Sequence, residues 1–124
     1  MKDYTGKRVV FIDDDNMNLM IVCRKLEARN LTVDKGYSMA ELFELLKTND
    51  YDMLFLDDMM PVMTGTEAMQ ELKKQSYPTP IVVITGNVEH PNARENYMSA
   101  GFDEFIPKPV RDEDLDRVLD MFIG

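Results

Sequence analysis

Four groups of reactive side chains each follow a short apolar run of the sequence. They are the aspartates at 13–15, the aspartates at 57–58, Thr85 and Lys108. Short runs that are apolar throughout, without alternation, are typical of strands buried on both faces of a parallel sheet. Parallel strands all point the same way, so their carboxyl ends meet at one edge, where open α/β sheets bind ligands. We therefore expect these side chains to lie together at that edge.

Carboxylates, a hydroxyl and an ammonium group at one edge suit a divalent metal ion and a phosphoryl group. Neighbouring carboxylates repel each other unless a cation is present. Oxygen ligands favour Mg²⁺, which typically takes one or two carboxylates, waters and phosphate oxygens. Asp13 and Asp14 at one strand end and Asp57 at another match that need. A carboxylate can also act as the nucleophile on phosphorus, with Thr85 and Lys108 stabilising the phosphoryl oxygens.

The elements that must position these residues alternate regularly between strand and helix. Apolar runs predict strands at 8–12, 31–33, 52–57, 81–85 and 102–106. Apolar stripes at helical spacing predict helices around 19–26, 39–46, 66–75, 92–100 and 115–122, of which 92–100 has the weakest stripe. Asp15 and Ser38 are predicted helix N-caps, and Gly101 is predicted to end the fourth helix.

Five consecutive βα units predict an α/β fold, a doubly wound five-stranded parallel sheet with helices on both faces. Right-handed crossovers leave few topologies. The second strand is short and more polar, as an edge strand would be, which favours the flavodoxin-like order 2-1-3-4-5. In that order the first and third strands are adjacent, so Asp14 and Asp57 become neighbours.

Composition narrows the class of function. The 124 residues, with 44% hydrophobic and 30% charged content, predict one globular domain, residues 1–124. A net charge of −9 without a basic cluster argues against nucleic-acid binding. No apolar run approaches the ~20 residues of a membrane span. The start of the chain lacks the pattern of a secretory signal, so we expect a cytoplasmic location and no membrane contact.

The single cysteine and the single histidine are both interpreted as residues without a chemical role. Cys23 falls on a helical apolar stripe, which predicts a buried structural thiol. His90 lies between Glu89 and Pro91 and is interpreted as an ordinary loop residue. A histidine that donates a phosphoryl group is therefore expected on another domain or protein.

Four motifs occur along the chain in one order: Val9–Asp14, Leu56–Pro61 with Gly65, Ile84–Gly86 and Pro107–Pro109. In these motifs the chain resembles, over about residues 6–123, the receiver domain of two-component response regulators. The aspartates followed by Asn18, and the stretch from Asp58 to Pro61, are similar to receivers of hybrid sensor histidine kinases. A natural stand-alone receiver would have much the same sequence.

The resemblance implies a phosphorelay function. Asp57 would be the phosphorylation site, taking its phosphoryl group from a phosphohistidine of a histidine kinase or histidine phosphotransfer protein. Asp13, Asp14, Asp57 and the Met59 backbone carbonyl would hold Mg²⁺, and Thr85 and Lys108 would contact the phosphoryl group. Such a domain is not an enzyme in the usual sense, although it catalyses its own phosphorylation and dephosphorylation.

The family also has a switch. Phosphorylation is expected to draw Thr85 toward the phosphoryl oxygens and to let Phe105 move into the vacated space. This movement is expected to change a surface formed by the fourth helix, fifth strand and fifth helix, where a dimer can form. The family's usual switch tyrosine is replaced here by Phe105, which has no hydroxyl. The bond between Lys108 and Pro109 is usually cis in the family.

Three other kinds of protein share part of this pattern. A haloacid-dehalogenase-like phosphatase would need an acid at position 59, where the sequence has methionine. A flavodoxin-like cofactor binder would need a phosphate-cradling loop where three aspartates stand. A receiver fold used only for contacts would be expected to lose an acidic residue or the lysine, and this chain keeps them all.

Overall fold

The architecture is a central parallel sheet covered by helices on both faces. In the computed structural model, residues 2–88 and 91–124 are described, so the interpretation of His90 lies outside the described residues. The sheet order is β2-β1-β3-β4-β5, as predicted. The elements are β1 Arg8–Ile12, α1 Asn16–Glu27, β2 Thr32–Gly36, α2 Met39–Thr48, β3 Met53–Leu56, α3 Gly65–Lys74, β4 Ile81–Thr85, α4 Ala93–Ala100, β5 Glu104–Pro107 and α5 Asp112–Ile123.

Three strands differ in extent from the prediction. β3, at Met53–Leu56, is one residue shorter at each end than predicted, and β2 and β5 differ for reasons that their contacts explain. β2 begins at Thr32 and continues to Gly36, because Asp34 and Lys35 pair with Val10 and Phe11 of β1 although they are polar. A strand at the edge of a sheet keeps one side in solvent and tolerates such residues. β5 begins at Glu104 instead of residue 102, because the side chain of the preceding Asp103 accepts a hydrogen bond from the Ile81 backbone amide.

Apolar residues from alternate positions of the strands form a core on each face of the sheet. One face packs against α1 and α5, and the other against α2, α3 and α4. The predicted caps are confirmed: Asp15 accepts from backbone amides of α1, and Ser38 from that of Glu41 in α2. Gly101 ends α4 with a φ of 129°, a conformation that favours glycine.

Cys23 is buried, as predicted, and burial raises the pKa of its thiol to about 11. A thiol with that pKa is protonated at neutral pH, which fits a structural role. No helix in the described part of the chain combines the length and the apolar character that crossing a membrane requires.

The outer edge of β5 presents no free backbone amide. The Lys108 amide donates to Thr85 O of β4 at 3.0 Å, so the amide of Phe105, an odd number of residues away, faces the open edge. That Phe105 amide donates to Oε1 of Glu104 at 3.0 Å. Pro107 has no amide hydrogen to offer. Glu104 also pairs with Arg94 of α4 and with Arg117 of α5, at 3.1 Å for Arg117.

Candidate active site at the carboxyl edge of the sheet

Asp57 is the first residue past β3. Its backbone amide donates to Ile12 O at 2.9 Å and so extends the pairing of β3 with β1. The loop that follows returns close to it, and a Cβ on Gly65 would overlap the Asp57 carbonyl oxygen. Only glycine allows so close an approach of the two backbones. Asp57 is 3% exposed, so its carboxylate is almost entirely enclosed by the protein.

Three aspartates meet at this edge, as the topology predicted. Asp13, Asp14 and Asp57 each offer a carboxylate oxygen, and these three oxygens lie within 4.8 Å of one another. Asp13 and Asp57 are buried, whereas Asp14 is exposed. The cluster therefore opens to solvent on the Asp14 side, the side from which a hydrated ion can enter.

Asp13 is held in place by three donors. Its Oδ1 accepts from the Asp15 backbone amide at 2.9 Å. Its Oδ2 accepts from Asn18 Nδ2 at 2.6 Å and faces Lys108 Nζ at 2.9 Å. Sequence reasoning used Asn18 only as a mark of the family. Its position in the first turn of α1, five residues after Asp13, was the signal that its amide could reach the site.

Lys108 brings a positive charge between the two buried carboxylates. Its Nζ lies 2.9 Å from Asp13 Oδ2 and 3.6 Å from Asp57 Oδ1. Burial opposes the charged form, but the hydrogen bond to Asp13 and the charge of Asp57 outweigh it and raise the lysine pKa. Lys108 is therefore cationic at neutral pH. The bond between Lys108 and Pro109 is cis, as the resemblance implied.

The surroundings of Asp57 disfavour the ionised form of its carboxyl group. Burial and the neighbouring Asp13 carboxylate raise the pKa of Asp57 to about 6, although Lys108 opposes the rise. Its Oδ1 is buried and has no hydrogen-bond partner among residues 2–88 and 91–124. An unpartnered buried oxygen beside two further carboxylates fits a divalent cation with a preference for oxygen ligands.

Thr85 is the last residue of β4, and Phe105 lies on the neighbouring strand β5, where it pairs with Val83. Thr85 is buried, and its Oγ1 accepts from the Asn87 backbone amide at 3.2 Å. Phe105 is 7% exposed and stacks on Tyr97 of α4, with ring centroids 5.6 Å apart. The Phe105 ring is thus already inside the protein in this state. Met59, two residues past Asp57, is 62% exposed at the mouth of the site.

Sequence reasoning gave no role to a second layer of polar contacts beside the site. Tyr97 Oη donates to Asp58 Oδ2 at 2.8 Å, and Asn87 Nδ2 donates to Tyr97 Oη at 3.1 Å. Asp58 Oδ1 accepts from the backbone amide and the hydroxyl of Thr66. A second carboxylate directly after Asp57, at Asp58, was the available signal.

Comparison with known protein families decides the class. The family model described as the response regulator receiver domain matches residues 9–120. The chain belongs to the receiver family. Receiver domains are signalling modules of two-component systems, and this receiver has the fold that its sequence predicted.

Relatives of this receiver include much longer proteins. Two-component system protein A of Emericella nidulans is 30% identical over 121 residues, 95% of this chain and 18% of that protein. Aerobic respiration control sensor protein ArcB of Escherichia coli K12 is 31% identical over 106 residues, 82% of this chain and 13% of that protein. The chain therefore spans less than a fifth of the length of either relative.

Solved receiver structures share the fold. The receiver domain of sensor histidine kinase PA1611 from Pseudomonas aeruginosa, with a magnesium ion coordinated in its active site cleft, superposes with a TM-score of 0.84 at 23% identity, covering 97% of this chain and 99% of that one. The Saccharomyces cerevisiae Ssk1 receiver domain, solved with the histidine phosphotransfer protein Ypd1, gives 0.83 at 20% identity, covering 98% and 91%.

Proposed function

We propose that this receiver accepts a phosphoryl group on Asp57 from a phosphohistidine of a histidine kinase or histidine phosphotransfer protein. The observation that carries the proposal is the buried Oδ1 of Asp57, which has no hydrogen-bond partner in the described residues and faces the Lys108 ammonium at 3.6 Å. An anionic oxygen held in this way is available as a nucleophile. The solved receiver bound to a phosphotransfer protein supports this class of donor.

The reaction is an in-line transfer. One carboxylate oxygen of Asp57 forms a bond to phosphorus while the bond from phosphorus to the donor imidazole nitrogen breaks. The imidazole leaves with the electron pair and is neutral once it carries a single proton. Asp57 must be ionised to attack, and its pKa of about 6 keeps it ionised at neutral pH. Lys108 and the Thr85 hydroxyl stabilise the charge on the phosphoryl oxygens, so catalysis rests on positioning and electrostatics.

The residues fit a magnesium ion as the required cofactor. Asp13, Asp14 and Asp57 would hold it through carboxylate oxygens, and Met59 through its backbone carbonyl. When bound, Mg²⁺ neutralises the crowded carboxylates and offers positive charge to the phosphoryl oxygens. The clustering of the three carboxylates supports this assignment. The magnesium ion in the receiver of the Pseudomonas kinase supports it by analogy.

We further infer that residues 1–124 act as one phosphorylation-controlled unit. Hydrolysis of the acyl phosphate in the same site returns it to the resting state, so the domain catalyses both its own gain and its own loss of phosphate. The signal is read on the face formed by α4, β5 and α5, where a dimer can form. Thr85 begins the change by moving toward the phosphoryl oxygens.

Intact mass after incubation with acetyl phosphate tests the proposal. We expect a gain of one phosphoryl group that requires both Mg²⁺ and Asp57, and Asp57→Ala should show no gain. Asp58→Asn is the matched control, because it removes the neighbouring carboxylate and should leave the gain intact. If wild type gains nothing from acetyl phosphate or from a histidine-phosphorylated partner, a contact-only receiver becomes the better interpretation.

A further inference from the structure

Tyr97 ties α4 to the loop that begins at the proposed phosphorylation site. Within Ala93–Ala100 the buried residues are Ala93 and Tyr97, so Tyr97 supplies the only large side chain that the helix buries. Its ring stacks on Phe105 and meets Phe102 edge-on at 5.9 Å. Its hydroxyl donates to Asp58 Oδ2 at 2.8 Å. The attachment of α4 to the core therefore depends strongly on this one residue.

Asp58 is a rigid acceptor for that hydroxyl. Its other oxygen, Oδ1, accepts from the backbone amide of Thr66 at 2.9 Å and from the Thr66 hydroxyl at 2.7 Å. Thr66 lies in the first turn of α3. Asp58 is also covalently next to Asp57. A displacement of α4 must therefore break the Tyr97 bond, since Asp58 cannot follow the helix.

The Tyr97 hydroxyl is also connected to Thr85. Asn87 donates its side-chain amide to Tyr97 Oη at 3.1 Å and its backbone amide to Thr85 Oγ1 at 3.2 Å. Burial and the bond to Asp58 raise the pKa of Tyr97. A movement of Thr85 is thus transmitted through Asn87 to the Tyr97 hydroxyl.

Space beside Tyr97 allows the helix to move. A cleft of about 260 Å³ lies between α3 and α4, lined by residues that include Asp58, Thr66, Asn96 and Tyr97. Phe105 is already buried, so a swing of residue 105 from solvent into the core is not available in this chain. Phe105 has no hydroxyl, but the ring of Tyr97, which stacks on it, carries one.

We propose that Tyr97 is the residue that couples phosphorylation of Asp57 to the position of α4, through its hydrogen bond to Asp58. This inference rests on the proposed function. In the resting state the bond holds α4 against the β3–α3 loop. When Thr85 moves toward the phosphoryl group, Asn87 is drawn away from the Tyr97 hydroxyl, the bond to Asp58 weakens and α4 is released. Tyr97 is a positioning residue and takes no part in the transfer itself.

Amide hydrogen exchange of residues 93–100, measured with intact mass on the same samples, tests the proposal. Tyr97→Phe keeps both ring contacts and removes only the hydroxyl. Asp58→Asn replaces the oxygen that accepts from the Tyr97 hydroxyl with an amide nitrogen, which cannot accept. Its remaining oxygen can still accept both hydrogen bonds from Thr66. Arg94 still pairs with Glu104 in both variants, so α4 keeps a second attachment. Tyr51→Phe is the matched control, because it removes a similar buried bond, 2.6 Å to Asp34, far from α4.

We expect phosphorylation of wild type to speed exchange in α4 by about tenfold, the size expected for losing a hydrogen bond to a charged group. Tyr97→Phe and Asp58→Asn should exchange at that faster rate before phosphorylation and change little after it, while still gaining the phosphoryl mass. A wild-type response in both variants would overturn the proposal, as would an equal loss of response in Tyr51→Phe. If wild type gains no mass from acetyl phosphate or from a histidine-phosphorylated partner, the proposed function fails and this inference fails with it.

Discussion

The ammonium of Lys108 lies 2.9 Å from Asp13 but 3.6 Å from Asp57, so the lysine is bonded to one buried carboxylate and only near the other. Asp13 has Asn18 and Asp15 as further donors, whereas Oδ1 of Asp57 has no hydrogen bond within the described part of the chain. Both carboxylate oxygens of Asp13 thus have donors, whereas Oδ1 of Asp57 remains available for reaction.

Replacing Lys108 with alanine should destabilise the metal-free domain. The change leaves two buried carboxylates without their shared cation, and breaking such a pair costs about 3 kcal/mol. Denaturant unfolding in EDTA at pH 7.5 measures the loss. Lys47→Ala, which removes an exposed ion pair with Glu44, is the control and should have little effect. Equal stability of the two variants would show that Lys108 does not compensate the carboxylates.

Replacing Asp57 with asparagine should stabilise the metal-free domain in a pH-dependent way. The folded-state pKa of about 6 lies above the ordinary value of 3.8, so ionisation costs the folded state more than the unfolded one. The Asp57 carboxyl therefore makes a growing unfavourable contribution to the stability of the wild type as the pH rises from about 4 to about 6, and a constant one above that pH.

The gain of Asp57→Asn over wild type should be largest above pH 6 and vanish below pH 4. Two pKa units correspond to about 3 kcal/mol, an upper limit for the gain. Thermal unfolding in EDTA across this pH range measures it. A gain that is constant from pH 4 to 8 would contradict the assigned cause.

Magnesium should stabilise the folded domain by binding it and not the unfolded chain. At a free ion concentration a hundred times the Kd, the expected gain is about 2.7 kcal/mol. Asp14→Asn should lose most of that gain, because it removes the exposed carboxylate of the cluster. Asp15→Asn also removes one negative charge, at the next residue, and keeps a side chain that can cap α1. It should therefore respond to Mg²⁺ like wild type. A full response in Asp14→Asn would rule out the metal assignment.

Replacing Met59 with asparagine should shorten the lifetime of the phosphorylated form. Met59 is an exposed apolar side chain two residues past Asp57, and a smaller polar one admits water to the acyl phosphate. Decay of the phosphoryl mass after removal of acetyl phosphate gives the lifetime. Val62→Asn introduces the same residue at a fully exposed position of the same loop and should leave the lifetime unchanged. An unaltered lifetime in Met59→Asn would remove this explanation.

The sequence predicted the part of the site that depends on topology alone. Asp13, Asp14, Asp57 and Lys108 follow strands, and parallel strands in the order 2-1-3-4-5 can only bring their ends to one edge. Buried strands and strong helical stripes are local patterns, so these elements were found. β2 was predicted too short because its polar residues are stabilised by pairing with β1, a tertiary effect.

The contacts of Tyr97 could not be predicted in the same way. Asp58 and Tyr97 are 39 positions apart, and the bond between them depends on how α4 is rotated on the sheet. A helix with few apolar residues gives no clear indication of that rotation. The same holds for Phe105, whose burial against Tyr97 follows from the packing of α4 and not from its own strand.

The closed edge of β5 restricts which partners can bind there. A free strand edge can be recognised by any extended peptide, whatever its sequence, and is a common starting point for aggregation. Between Glu104 and Pro107 one outward amide is taken by a side chain and the other does not exist. A partner at this border of the sheet therefore finds no free amide on β5. Its recognition depends mainly on the side chains of the flanking helices, and pairing of identical copies sheet to sheet is disfavoured.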